Sequence, residues 1–114
     1  MLGWGKKETE NAPSLDSLIA ENRCVMFSMP SCHWCVKAGD FLAKNNLKCK
    51  IVNMQDSQFL AFEVIKATGQ RSVPNIFIDG QHLGGHDSLL EAHEKCKKNI
   101  HDTQCDFFKG RKRS

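Results

Sequence analysis

Short apolar runs alternate along this chain with stretches of helical period, and that alternation leaves few folds open. Residues 14–22 (SLDSLIAEN) start at Ser14, a good helix N-cap, and set Leu15, Leu18 and Ile19 on one face. The next apolar run, CVMFS at residues 24–28, lies between Arg23 and Pro30 and has the length of a buried strand. The pattern then predicts a helix from Cys32 through Val36, Ala38, Phe41 and Leu42 to Asn45 or Asn46, and a strand over residues 48–54 (KCKIVNM). Ser57 caps a helix carrying Phe59, Leu60, Phe62, Val64 and Ile65, and Gly69 closes it. Residues 75–79 (NIFID) read as a strand, Asp79-Gly80 as a tight hairpin turn, and residues 81–83 as the returning strand. A last helix covers residues 87–98.

The resulting order is α-β-α-β-α-β-β-α. A strand–helix–strand unit requires a parallel pair joined by a right-handed crossover, and the final hairpin adds antiparallel partners. The expected architecture is α/β: a small four-stranded mixed sheet flanked by helices on both faces. The 114 residues are enough for one domain with its own core. We place a flexible segment at residues 1–13, the domain at 14–99 and a C-terminal extension with a basic tail at 100–114.

No apolar run is long enough to cross a bilayer, so no membrane partner is expected. The N-terminal stretch MLGWGKKETENAPS has neither an apolar segment nor a cleavage pattern, and Glu8 and Glu10 argue against a basic transit peptide. The expected location is cytoplasmic. The net charge of +3 resides in the tail: without Lys109, Arg111, Lys112 and Arg113 the chain has 12 basic and 13 acidic residues. A nearly neutral body gives no footprint for nucleic acid, and the tail is expected to be a solvated, frayed terminus tethered by Phe107 and Phe108.

Six cysteines occur, at positions 24, 32, 35, 49, 96 and 105, and reduced thiols are their default without a secretory signal. Cys24 and Cys49 fall in strands and are expected as small buried hydrophobes. Cys96 and Cys105 flank the end of the last helix, where free thiols are expected and a disulfide is the alternative. Cys32 and Cys35 make the one C-x-x-C pair; a zinc ribbon needs two. Cys32 opens a helix directly after a strand, where unpaired backbone N–H groups and the helix dipole favour a thiolate. Cys35 lies one turn on, within disulfide reach. An accessible, acidified nucleophile backed by a buried second thiol is the arrangement that thiol–disulfide exchange requires. The competing reading is a pair of inert thiols or a metal knuckle.

Three stretches in order, CVMFSMPSCHWCVKAGDFL, GQRSVPNIFIDGQHLGG and GGHDSL, resemble the glutaredoxin family of the thioredoxin fold. The resemblance implies a glutathione-dependent thiol–disulfide oxidoreductase with Cys32 as nucleophile and Cys35 as resolving thiol. It implies that Pro74 is cis, that the backbone of Val73 pairs with the cysteine of glutathione, and that Gly85, His86, Asp87 and Ser88 receive the γ-glutamyl carboxylate. Asp87 or Ser88 would then hold the ammonium group, and Arg71 the glycine carboxylate. The implied partners are glutathione and glutathionylated or disulfide-bonded proteins, acting on a monomer.

Two positions depart from the family pattern. Met29 stands where a lysine is usual, so weaker glutathione binding is expected, unless Arg71 and Lys37 compensate. His33-Trp34 stands between the cysteines in place of Pro-Tyr. Relatives lacking that proline include ones that hold a [2Fe-2S] cluster between two subunits, which makes Cys32 an alternative cluster ligand and a bridged dimer an alternative state. Trp34 is expected to touch substrate beside Cys32. His33 either tunes Cys32 or is a solvated loop residue, and His82, His86, His93 and His101 show no shared metal-ligand spacing and read as surface or cap residues.

Overall fold

The computed structural model describes residues 13–98 and 102–112. Among the described residues, four α-helices and four strands occur in the anticipated order: α1 (Leu15–Glu21), β1 (Cys24–Ser28), α2 (His33–Lys44), β2 (Lys50–Asn53), α3 (Gln58–Thr68), β3 (Asn75–Ile78), β4 (Gln81–Gly84) and α4 (His86–Lys98). The strands form one sheet in the order β2-β1-β3-β4, with β1 parallel to β2 and antiparallel to β3, and β3 antiparallel to β4. This is the thioredoxin fold.

Local chemistry accounts for where the elements start and stop. Ser14 and Ser17 close a capping box on α1, and the Ser57 hydroxyl accepts from the Leu60 N–H at the start of α3. Gly69 ends α3 in the left-handed region (φ 72°), its N–H reaching the Ile65 carbonyl at 2.7 Å. Asp79 and Gly80 both have positive φ, the type I′ hairpin geometry that the pair favours. The second strand is shorter than expected. The Asn53 side chain accepts from the Gln55 N–H at 2.8 Å and turns Met54–Asp56 into a 3-10 helix.

Alternation along β1 and β3 divides the core between the two faces. Val25, Phe27 and Phe77 pack with Leu15, Leu18, Leu60 and Val64 under α1 and α3. Cys24, Met26, Ile76 and Ile78 pack with Ala38, Leu42 and Leu89 under α2 and α4. Among the described residues no helix is long and apolar enough to cross a membrane.

Two expectations need correction. Cys24 is bonded to Cys49 and Cys96 to Cys105, so neither pair is a set of free thiols. The cause is tertiary. The parallel register that sets Val25 beside Lys50 also brings Cys24 within 4.5 Å (Cα–Cα) of Cys49, and residues 102–112 double back along α4 to bring Cys105 within 5.4 Å of Cys96. The second correction concerns the tail, which is tethered by Phe107 and Phe108 as expected but stays docked as far as Arg111 rather than fraying before it. Phe107 enters the second core cluster, and Phe108 meets the His93 ring at 5.7 Å. Arg111 donates to the Asp106 carboxylate at 2.8 Å, while its carbonyl accepts from the Arg23 guanidinium. Arg23 also forks onto Asp79 at 2.8 and 3.0 Å, so the tail is joined to the hairpin through one guanidinium. Residues 1–12, His101 and Arg113 lie outside the described residues.

His93 lies between the rings of Phe41 and Phe108, and burial, then the Lys97 and Lys109 charges, hold its pKa below the ordinary value. A depressed folded-state pKa means that the unfolded chain takes up the proton first. His93 therefore contributes stability above the ordinary histidine pKa of about 6.5, and that contribution is lost as pH falls through the lower folded value. Burial acts on His82 in the same direction. Urea midpoints should accordingly drop between about pH 7.5 and pH 5. They should drop less in His93→Gln; an equal drop in both proteins excludes His93 as a contributor.

Candidate functional site

Cys32 is the N-cap of α2, with extended backbone angles and its Sγ accepting from the Cys35 N–H at 3.1 Å. It is half-buried, whereas Cys35 one turn later is 4% exposed, and the two sulfurs are joined with their Cα atoms 5.2 Å apart. The outer sulfur is the one a substrate can reach. The Cys35 N–H and the positive end of the α2 dipole face that sulfur, surroundings that favour negative charge on it. The Val73 carbonyl lies 3.7 Å from that sulfur, and the Val73-Pro74 bond is cis.

Beside Cys32 runs a groove of about 420 Å³ lined by Trp34, Ser72, Val73, Pro74, Gly85, His86, Asp87 and Ser88. One wall is the loop before β3; the other is the first turn of α4, whose unpaired N–H groups and dipole favour a carboxylate. Trp34 is 53% exposed and leans on the His86 ring at 5.0 Å, so it forms a rim over the groove rather than part of the core. The Asp87 carboxylate is fully solvent-facing and lies 3.3 Å from His86 Nδ1.

Seven of the eight residues expected beyond the cysteines thus line one groove: Trp34, Val73, Pro74, Gly85, His86, Asp87 and Ser88. Arg71 does not; it is exposed and off the wall, and Ser72 lines the wall in its place. Lys37 lines an adjoining depression with Asp40, Phe41, Lys44 and His86 rather than the groove itself. His33 is exposed, its ring edge-on to Trp34 at 5.3 Å. A second hollow of about 270 Å³ opens on Cys32, formed by Met29, Pro30, Ser31, Gln55 and Val73, none of them charged. Gln55 gave no signal in the sequence, because the 3-10 helix that carries it approaches Cys32 only through the β1–β2 pairing.

Gly84 supports the groove from behind. Its φ of 126° is one that L side chains rarely adopt, and a Cβ there would lie 2.6 Å from the Ser88 hydroxyl. Gly84→Ala is expected to cost about 1–3 kcal/mol. Gly85→Ala, whose Cβ would keep 3.5 Å from the Pro74 carbonyl, should cost less. Urea unfolding of the two variants checks the order, and equal losses refute the account.

A family model described as glutaredoxin matches residues 24–83. Glutaredoxin-1 of Rhizophagus irregularis is 41% identical over 81 residues, covering 68% of this chain and 80% of that protein. Mitochondrial glutaredoxin-2 of Rattus norvegicus is 31% identical over 114 residues, covering 96% of this chain and 72% of the rat protein. Among solved structures, the buckwheat glutaredoxin–glutathione complex has a TM-score of 0.70 at 28% identity, covering 90% of this chain and 93% of that one.

Proposed function

Because the chain belongs to the glutaredoxin family, we propose that its thiol oxidoreductase chemistry is glutathione-dependent disulfide exchange, with Cys32 as nucleophile and Cys35 as resolving thiol. The carrying observation is the half-buried Cys32 in the hollow that adjoins the groove at Val73, with Cys35 buried behind it.

The Cys32 thiolate attacks the glutathione sulfur of a mixed disulfide, the S–S bond breaks, and the target leaves as a thiolate that takes a proton from solvent. A second glutathione thiolate attacks the Cys32–glutathione bond, giving glutathione disulfide and regenerating Cys32. For a protein disulfide, Cys35 displaces the target from Cys32 and closes the pair seen in the structure. The groove seats glutathione with its cysteine along the Val73 backbone and its γ-glutamyl carboxylate on the N–H groups of residues 86–88. Asp87 or Ser88 takes the ammonium group. Arg71 reaches the glycine carboxylate only by swinging in from outside the wall. Met29 adds no charge beside Cys32, so glutathione is held by fewer cations than where a lysine stands there. The solved buckwheat complex supports the reading, since it is a glutaredoxin of the same fold with glutathione bound.

A [2Fe-2S] cluster, the alternative, would be shared by two copies of this chain, each supplying the Cys32 thiolate together with a bound glutathione thiolate. Cys32, half-buried and reachable, is the residue that would hold it, and no step of the exchange runs through a cluster. The test of the function is steady-state reduction of a glutathione mixed disulfide coupled to glutathione reductase. Turnover that saturates with glutathione is expected; no turnover above the uncatalysed exchange overturns the proposal.

A further inference from the structure

We propose that Cys49 and Cys24 form a second glutathione-exchange site, with Cys49 accepting glutathione and Cys24 resolving it. The pair repeats the asymmetry of the active site. Cys49 is half-buried just before β2, while Cys24 at the start of β1 is 1% exposed. A small disulfide can therefore reach Cys49 alone. The Cα atoms of the pair are 4.5 Å apart, and the parallel β1–β2 ladder holds them so without help from the sulfur bond. The reduced pair is thus already placed to close, as a resolving thiol must be. Lys48 and Lys50, both exposed, flank Cys49 and give the approach the charge that draws anionic glutathione disulfide. By contrast, Cys96 and Cys105 line a hollow of about 200 Å³ but are only 5% and 3% exposed, less open to an incoming disulfide than Cys49.

The two sites act separately. Cys24 is at the end of β1 away from Cys32, and the strand between them spans roughly 13 Å, beyond the reach of direct exchange. In the oxidising direction the Cys49 thiolate attacks glutathione disulfide, forming the Cys49–glutathione bond and releasing one glutathione thiol. The Cys24 thiolate then attacks the Cys49 sulfur, closing Cys24–Cys49 and releasing the second. Two protein thiols are oxidised and one glutathione disulfide is reduced to two glutathiones. Excess glutathione runs the steps backwards.

The test uses the full chain with Cys32→Ser and Cys35→Ser, which silences the active site and keeps the outcome independent of the proposed catalytic function. The reduced protein is exposed to glutathione disulfide and its cysteines are mapped by mass spectrometry. A transient adduct on Cys49 that gives way to Cys24–Cys49 is expected. Adding Cys24→Ser, or Cys24→Ala should the hydroxyl unsettle the core, should make the Cys49 adduct persist, at least about tenfold above any on Cys96 or Cys105. Adding Cys49→Ser instead should leave Cys24 unmodified. No adduct on Cys49 in either Cys24 variant, equal labelling of Cys96 or Cys105, or direct modification of Cys24 overturns the proposal.

Discussion

Cys32→Ser is expected to abolish turnover of every disulfide substrate, whereas Cys35→Ser is expected to lose protein-disulfide reduction and keep release of glutathione from mixed disulfides within about tenfold of the wild-type rate. The split follows from exposure. Of the two sulfurs only that of Cys32 opens on the uncharged hollow, which meets the groove at Val73, so it is the one placed to form the covalent bond to a substrate. A serine hydroxyl in its place is not ionised at neutral pH and does not attack sulfur. Cys35 is needed when the target holds no glutathione and the mixed disulfide has to be broken from inside the protein. A glutathionylated substrate is resolved by free glutathione instead. Parallel assays with a glutathione mixed disulfide and a protein disulfide read the two limbs separately. Equal loss of both in Cys35→Ser would mean that Cys35 shapes the site rather than resolves, and residual turnover in Cys32→Ser would move the nucleophile elsewhere.

Phe107→Ala is expected to lower stability by about 3–5 kcal/mol, a large part of the 5–15 kcal/mol that a domain commonly has. Phe107 is 6% exposed, packs in the cluster with Leu89, Ile78 and Cys24, meets Phe108 edge-on at 5.4 Å, and has the Arg23 guanidinium 5.7 Å above its ring. Truncation leaves a cavity under α2 and α4 and removes the apolar anchor of residues 102–112. The Cys96–Cys105 bond keeps the segment attached in the variant, so the loss should be measured both with that bond intact and with it reduced. A change within about 0.5 kcal/mol under both conditions would be the signature of a surface position and would refute a docked tail.

The active-site architecture was legible because its signals are short-ranged. Ser57 and Gly69 mark the ends of a helix within a few residues of themselves, and Asp79-Gly80 makes its turn within the dipeptide. Cys32 owes its N-cap position, on which its proposed role rests, to the strand before it and the helix it opens, both recorded in adjacent residues. That Arg71 stays off the groove wall was not legible, for the complementary reason. Its neighbour Ser72 lines the groove, and which of two consecutive loop residues faces inward depends on the path of the chain into β3.

Alternation of strand and helix, with a thiol at a helix N-cap and its partner one turn on, is local chemistry, and the sequence alone determined it. The groove joins residues 34, 72–74 and 85–88, and only packing of α2, the loop before β3 and α4 around one sheet brings them together. The same holds for sulfur pairing. Cys24 and Cys49 are 25 positions apart, and Cys96 and Cys105 meet because the tail turns back to bury Phe107. Partners across such separations are selected by strand register and by the burial of apolar surface, which are properties of the assembled chain and not of any short stretch of it.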